Sequence, residues 1–205
     1  EAGVNHNGDI KIAKKLIDVA ESSGADFVKF QTFNSAELVT QNAKKAKYQK
    51  HINDDNESQI QMLKKLELNK ENHITLYNYC KNKKIQFISS AFDLKSIDFL
   101  DRFDMPFFKI PSGEITNLPY LRHIASKKKP ILMSSGMSTM QEIRDALFAL
   151  ETAGANKGDI SVLHCNSEYP TEMIDVNLKA MVTIKSELNV DVGYSDRTLG
   201  IEVPI

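Results

Sequence analysis

The residues able to do chemistry fall in clusters, each placed just after a short apolar run. In chain order they are Glu1 with Asn5-His6-Asn7-Gly8, Lys29 with Gln31-Thr32, and Ser89-Ser90-Ala91-Phe92-Asp93. Then come Lys109 with Ser112-Gly113-Glu114, Ser134-Ser135-Gly136-Met137-Ser138, the stretch from His164 to Pro170, and Tyr194-Ser195-Asp196-Arg197-Thr198. Lys29 and Lys109 lie inside apolar runs, where an ammonium is costly to desolvate unless an anion partners it. The hydroxyl- and glycine-rich turns beside them supply donors that suit phosphate or carboxylate oxygens. An anionic substrate is therefore expected. Glu1, Glu114 and Asp196 add carboxylates of the kind that ligate metals or move protons. Two other groups read more plainly. His164, in an apolar run, reads as a satisfied core histidine ahead of a metal ligand, and Cys165, with no basic partner in view, as a buried structural thiol ahead of a nucleophile.

The elements that must position these clusters follow one rhythm: apolar run, polar turn, amphipathic segment. Helical spacing predicts helices over 9–22, 57–66, 70–82, 94–100, 118–126, 139–153 and 178–188, with Asp9 as an N-cap and Pro119 in a first turn. Strands are predicted over 27–30, 85–89, 107–110, 130–134, 160–164 and 190–194. A further one frays into Glu1-Ala2-Gly3-Val4. The strands are continuous apolar runs, as in a parallel sheet covered on both faces. This is an α/β chain: either an open doubly wound sheet or a (β/α)8 TIM barrel with about seven of its eight strands. No G-x-G-x-x-G follows an early strand, which disfavours the dinucleotide-binding version. The lysine-rich segment 34–56 reads as a loop with helical pieces, of the length that often forms a lid or binding loop.

The balance of charge narrows the partners. With 26 basic and 27 acidic residues the net charge is −1, so no global field draws in nucleic acid or an anionic membrane. No apolar stretch is long enough to span a bilayer, and residues 1–8 show no secretory pattern. The two cysteines, Cys80 and Cys165, make no disulfide framework. Cytoplasmic residence is expected.

At the strand ends the sequence resembles the sialic acid synthase family, which includes the N-acetylneuraminate, legionaminate and pseudaminate synthases. The matching stretches are Glu-Ala-Gly-Val-Asn-His-Asn-Gly at 1–8, Val-Lys-Phe-Gln-Thr-Phe at 28–33 and Phe-Lys-Ile-Pro-Ser-Gly-Glu-Ile-Thr-Asn at 108–117. They continue with Met-Ser-Ser-Gly-Met at 133–137, His-Cys-Asn-Ser-Glu-Tyr-Pro-Thr at 164–171 and Gly-Tyr-Ser-Asp at 193–196. The resemblance implies a truncated barrel over 1–205, without the C-terminal antifreeze-like domain of the family, and a homodimer at full length. It implies a transferase that condenses phosphoenolpyruvate with an N-acetylated hexosamine, N-acetylmannosamine or a di-acetamido hexose. The products are a nine-carbon keto-sugar acid and phosphate. A divalent cation, manganese or magnesium, polarises the aldehyde in such enzymes.

By matching stretch, the resemblance places Lys109, Ser134, Ser167, Tyr169 and Ser195 on phosphoenolpyruvate. Glu1, Gln31 and Glu114 face the sugar and the reacting centre, with Glu114 handling protons or activating water. Asp196 lies beside the metal and Lys29 supports the anion site. Two departures stand out. Arg197 occupies the place of a metal-binding histidine, and a donor-only guanidinium cannot replace it; Arg197 offers positive charge for phosphate instead, or leaves metal binding weak or differently arranged. Ser167 replaces a residue that is often asparagine in relatives. Rival readings are another phosphoenolpyruvate-dependent keto-sugar-acid synthase, or an inactive barrel serving as a binding module.

Overall fold

The structure is a computed structural model that describes residues 1–40, 43 and 58–205. Most of the expected 34–56 loop lies outside the described residues, as does Glu57. The chain divides into two compact units, Glu1–Met105 and Pro106–Ile205.

In the first unit, strands β1 (Phe27–Thr32) and β2 (Gln86–Ala91) pair in parallel, with Val28 opposite Phe87 and Gln31 opposite Ser90. Helix α1 (Ile10–Ser22) begins where the Asp9 carboxylate accepts the Lys11 N–H, and buries Ala13 and Ile17. Short α2 (Ser35–Leu38) and α3 (Gln59–Leu66) follow. A reciprocal Ser58–Gln61 capping box starts α3. Helix α4 (Lys70–Lys83) is capped by Asn69 and buries His73, Leu76 and Cys80. Helix α5 (Leu94–Leu100) starts at Asp93, which caps the Ser96 N–H. Phe30, Tyr77, Phe87, Phe99 and Phe103 stack into one aromatic cluster with ring centroids 5.0–5.9 Å apart.

The expected first strand is reduced to one parallel bridge, Gly3 to Phe30. Gly3 donates its N–H to the Lys29 carbonyl at 2.8 Å. Its φ of +51° then turns the backbone out of an extended path. Successive turns through Asn5, Asn7 and Asp9 deliver the chain to α1. The described residues thus hold six strands rather than seven.

In the second unit, β3 (Phe108–Ile110), β4 (Ile131–Ser134), β5 (Ile160–His164) and β6 (Asp191–Tyr194) pair in parallel in that order. Helix α6 (Leu118–Ala125) has Asn117 as its N-cap and Pro119 in its first turn. Helix α7 (Met140–Thr152) starts with a Thr139–Glu142 capping box. Helix α8 (Lys179–Leu188) ends at Asn189 in the left-handed conformation. Ile131, Met133, Ile160 and Val162 of the strands and Leu121, Ile124, Ile143 and Leu150 of the helices are all buried. The ends of β1, β2, β3 and β4 therefore open into turns that lead to a capped helix, the arrangement that places polar clusters at the C-terminal ends of parallel strands.

Candidate functional site

Each unit presents its own group of polar side chains. In the first, Lys29 on β1 ion-pairs with the Glu1 carboxylate. Gln31, half-exposed, lies two residues further along the same strand. Beneath them Thr32 Oγ1 bonds to His73 Nε2 at 2.8 Å and to Ser89 Oγ at 2.7 Å, all three buried. Burial holds the His73 ring below its ordinary pKa, hence neutral. His6, fully buried, accepts the Gly8 N–H on Nδ1 at 2.9 Å, and its Nε2 has no hydrogen-bond partner among the described residues. Gly8 is required twice over: its φ is +77°, and a Cβ there would run into the Lys65 carbonyl.

In the second unit Lys109 is buried on β3. Its ammonium donates to the Ile110 carbonyl at 2.8 Å and to Ser134 Oγ, on the neighbouring strand, at 2.5 Å. The glycine-rich turns after β3 and β4 meet as well. Ser112 Oγ accepts the Gly136 N–H at 3.0 Å and lies 3.4 Å from Cys165 Sγ. A Cβ on Gly136 would stand 2.8 Å from Ser167 Oγ, 2.9 Å from Ser112 Oγ and 3.2 Å from Cys165 Sγ. Only glycine leaves these hydroxyls their space. The sequence places Ser112 and Gly136 in strand-end clusters but assigns neither an individual role. Their signal was a Ser-Gly pair recurring after two consecutive strands.

Glu114 sits in the Ser112–Glu114 turn and accepts the Asn117 amide at 2.7 Å. Ser195 is held through its backbone, its N–H donating to the His164 carbonyl at 2.9 Å. Asp196 Oδ1 accepts three donors: the Thr198 N–H at 3.0 Å, Thr198 Oγ1 at 2.8 Å and Tyr194 Oη at 3.2 Å. The Thr198 N–H leads in holding this carboxyl below its ordinary pKa. Arg197 Nη1 donates to the Asn166 carbonyl at 2.6 Å, and its guanidinium lies 4.1 Å over the Tyr169 ring. Its Nε is buried without a partner among the described residues, as are Ser167 Oγ and His164 Nε2. His164 is thus not the satisfied core histidine that the sequence suggests. Its ring leans on Tyr194, and burial keeps it neutral. Cys165 fits its structural reading: it is buried against Ser112. An open cavity of about 780 Å³ adjoins the β5 end, lined by Met137, Ile143, His164, Ser167, Asp175 and Lys179 among others.

The resemblance asks for a divalent cation near Asp196. Among the described residues no three His, Cys, Asp or Glu side chains gather to hold a metal. Arg197 brings donors where a ligand is needed, and Asp196 Oδ1 is committed to Thr198 and Tyr194. The residues at the end of β6 do not fit a cation.

Parallel βα units that carry an ammonium, hydroxyls and a guanidinium at their strand ends define an α/β chain of the β/α barrel class. The chain belongs to the NeuB family, whose sequence profile matches residues 16–205. It is 50% identical over its whole length to the N,N'-diacetyllegionaminic acid synthase of Campylobacter jejuni, covering 61% of that protein. It is equally similar, at 50% over 206 aligned residues and 58% of the relative, to the synthase of the same name from Legionella pneumophila. The crystal structure of N-acetylneuraminic acid (sialic acid) synthetase from Leptospira borgpetersenii, in complex with citrate, superposes with a TM-score of 0.85. It shares 31% identity and matches 99% of this chain and 65% of its own. The chain thus spans about six-tenths of the length of the curated relatives it matches.

Proposed function

We propose that the full-length protein condenses phosphoenolpyruvate with a di-N-acetylated hexose, giving a nine-carbon keto-sugar acid and inorganic phosphate. The observation that carries this reading is the buried Lys109 ammonium bound to Ser134 Oγ, in a chain 50% identical to two diacetyllegionaminic acid synthases. Identity to the sialic acid synthetase is lower, at 31%, which favours the di-acetamido sugar over N-acetylmannosamine. In the reaction C3 of phosphoenolpyruvate bonds to the sugar aldehyde carbon. Water adds at C2, and the C2–O bond breaks to release phosphate.

Lys109, Ser134, Ser167, Tyr169 and Ser195 take the phosphate and carboxylate of phosphoenolpyruvate through charge-assisted and hydroxyl bonds. Glu1 and Gln31 face the sugar end, Lys29 supports the anion site, and Glu114 moves a proton to or from the added water. No step is assigned to a divalent cation. The same reading carries a homodimer with an added antifreeze-like domain. It also carries cytoplasmic residence, which the free Cys80 and Cys165 support.

The decisive assay follows phosphate release by the full-length protein with phosphoenolpyruvate and a sugar panel. Release is expected with di-acetamido hexoses and weaker release with N-acetylmannosamine. Silence across the panel would sink the proposal. Sedimentation of the same protein checks the dimer.

A further inference from the structure

We infer that Arg197 is an oxyanion-binding residue, receiving a substrate carboxylate or phosphate at the ends of β5 and β6 together with the hydroxyl of Ser167. The inference rests on the condensation proposed above and deepens it by assigning Arg197 an anion-binding role.

Three observations lead there. The first is that the guanidinium is held in place. Nη1 bonds to the Asn166 carbonyl at 2.6 Å, and the plane rests 4.1 Å over the Tyr169 ring. The Arg197 carbonyl in turn accepts the Thr171 N–H at 2.8 Å. A long side chain fixed at both ends has already lost its rotamer freedom, so little is left to lose on binding. The second is its charge balance. Arg197 makes no ion pair among the described residues, and its neighbour Asp196 spends Oδ1 on Thr198 and Tyr194. A cation that meets, among the described residues, one carbonyl and one ring gains most from a bound anion. The third is the pattern of unmet donors. Arg197 Nε and Ser167 Oγ are both buried with no hydrogen-bond partner among the described residues. They are close in the chain's path, because the carbonyl that accepts Nη1 belongs to the peptide joining Asn166 to Ser167. Leaving two buried donors unmet is costly, and an oxyanion meets both.

The same geometry explains why the β6 end does not fit a cation. A guanidinium at this position supplies fixed positive charge directly.

The test uses the full-length protein freed of metal by chelation, with calorimetry of three probes: phosphoenolpyruvate, inorganic phosphate and pyruvate. Wild type is expected to bind phosphoenolpyruvate without added metal. Arg197→Gln should weaken that binding roughly 10- to 100-fold, the loss for hydrogen bonds to a charged partner. Arg197→Lys, which keeps the charge but not the fork, should fall between the two. Whichever of phosphate and pyruvate loses affinity in parallel identifies the oxyanion.

If Arg197→Gln unfolds the protein, the Arg197→Lys titration decides alone. Two results would overturn the inference: binding by wild type only when manganese is added, or a variant that is less stable yet binds as tightly as wild type. The second outcome would make the Arg197–Tyr169 stack a structural clasp. Metal-free, Arg197-dependent binding without phosphate release on any sugar would leave the inference standing and the condensation reading defeated. Release that ignores Arg197→Gln would do the reverse.

Discussion

In the first unit the Lys29 ammonium meets the Glu1 carboxylate, and Thr32, His73 and Ser89 close a chain of buried hydrogen bonds. In the second unit the Arg197 guanidinium meets a carbonyl and a ring, while Arg197 Nε, Ser167 Oγ and His164 Nε2 stay buried and unmet. Among the described residues His6 Nε2 and Gln59 Oε1 in the first unit are also unmet, but His6 is fully enclosed beside Phe30, and the Gln59 oxygen is an acceptor that an anion cannot meet. An unsatisfied buried donor costs about 1–3 kcal/mol, and a fold keeps several together where a ligand repays them. The first unit's cation is thus settled by a carboxylate, and the second unit's is the one that the proposed oxyanion would complete.

The largest effect expected of this difference falls on Lys109. The residue is 6% exposed, and its ammonium is held between a backbone carbonyl and Ser134. Lys109→Met should weaken phosphoenolpyruvate binding by about 100-fold, the loss of a desolvated charge and its hydrogen bonds. Calorimetry against the wild type reads this directly, and unchanged affinity would remove Lys109 from the site.

Next comes Gly136→Ala. The new methyl would crowd two hydroxyl oxygens and a sulfur at 2.8–3.2 Å. Overpacking of that kind costs about 1–3 kcal/mol. A lower urea midpoint together with weaker phosphoenolpyruvate binding is expected. Gly8→Ala, strained by its φ and by the Lys65 carbonyl, should lower the midpoint by a similar amount. A Gly136→Ala protein that binds normally would separate the hydroxyl cluster from function.

A smaller effect is expected from pH. Burial depresses the folded-state pKa of His73 below the ordinary 6.5. The unfolded chain therefore takes up a proton that the folded chain refuses. The stability from the neutral ring is complete above pH 6.5 and drains away as pH falls toward the lowered folded value. His6 and His164 are shifted the same way, also by burial, and share the slope. Urea midpoints measured from pH 8 to pH 5 should fall, and His73→Gln should flatten part of that fall. An identical slope in the variant would place the acid sensitivity elsewhere.

The helices were legible because their signals are local. Asp9, Asn117 and the Thr139–Glu142 box lie within one turn of what they cap. The first strand was overcalled because Glu1-Ala2-Gly3-Val4 has strand composition, whereas the left-handed φ of Gly3 ends the pairing after one bridge. At the site, the residue types were legible and their partners were not. Lys109 reaches Ser134 only because Lys109 pairs with Leu132, two positions short of the serine on the next strand. The Arg197–Tyr169 stack depends on the path of residues 166–171, which no periodicity encodes. Asp196 read as a metal neighbour, and only coordinates show its oxygen taken up by Thr198.

The smallest effect should come from the pair that the comparison calls settled. Lys29 and Glu1 are partly exposed, with side chains 19% and 37% accessible. Pairs in such surroundings contribute about 0–1 kcal/mol. A double-mutant cycle with Lys29→Met and Glu1→Gln should therefore give a stability coupling below about 1 kcal/mol. In binding, Lys29→Met should cost far less phosphoenolpyruvate affinity than Lys109→Met, because Glu1 already balances its charge. A Lys29→Met loss as large as that of Lys109→Met would mean that Glu1 yields to the substrate. The first unit's cation would then serve the anion as directly as the second's, and the contrast between a settled half and an open one would fail.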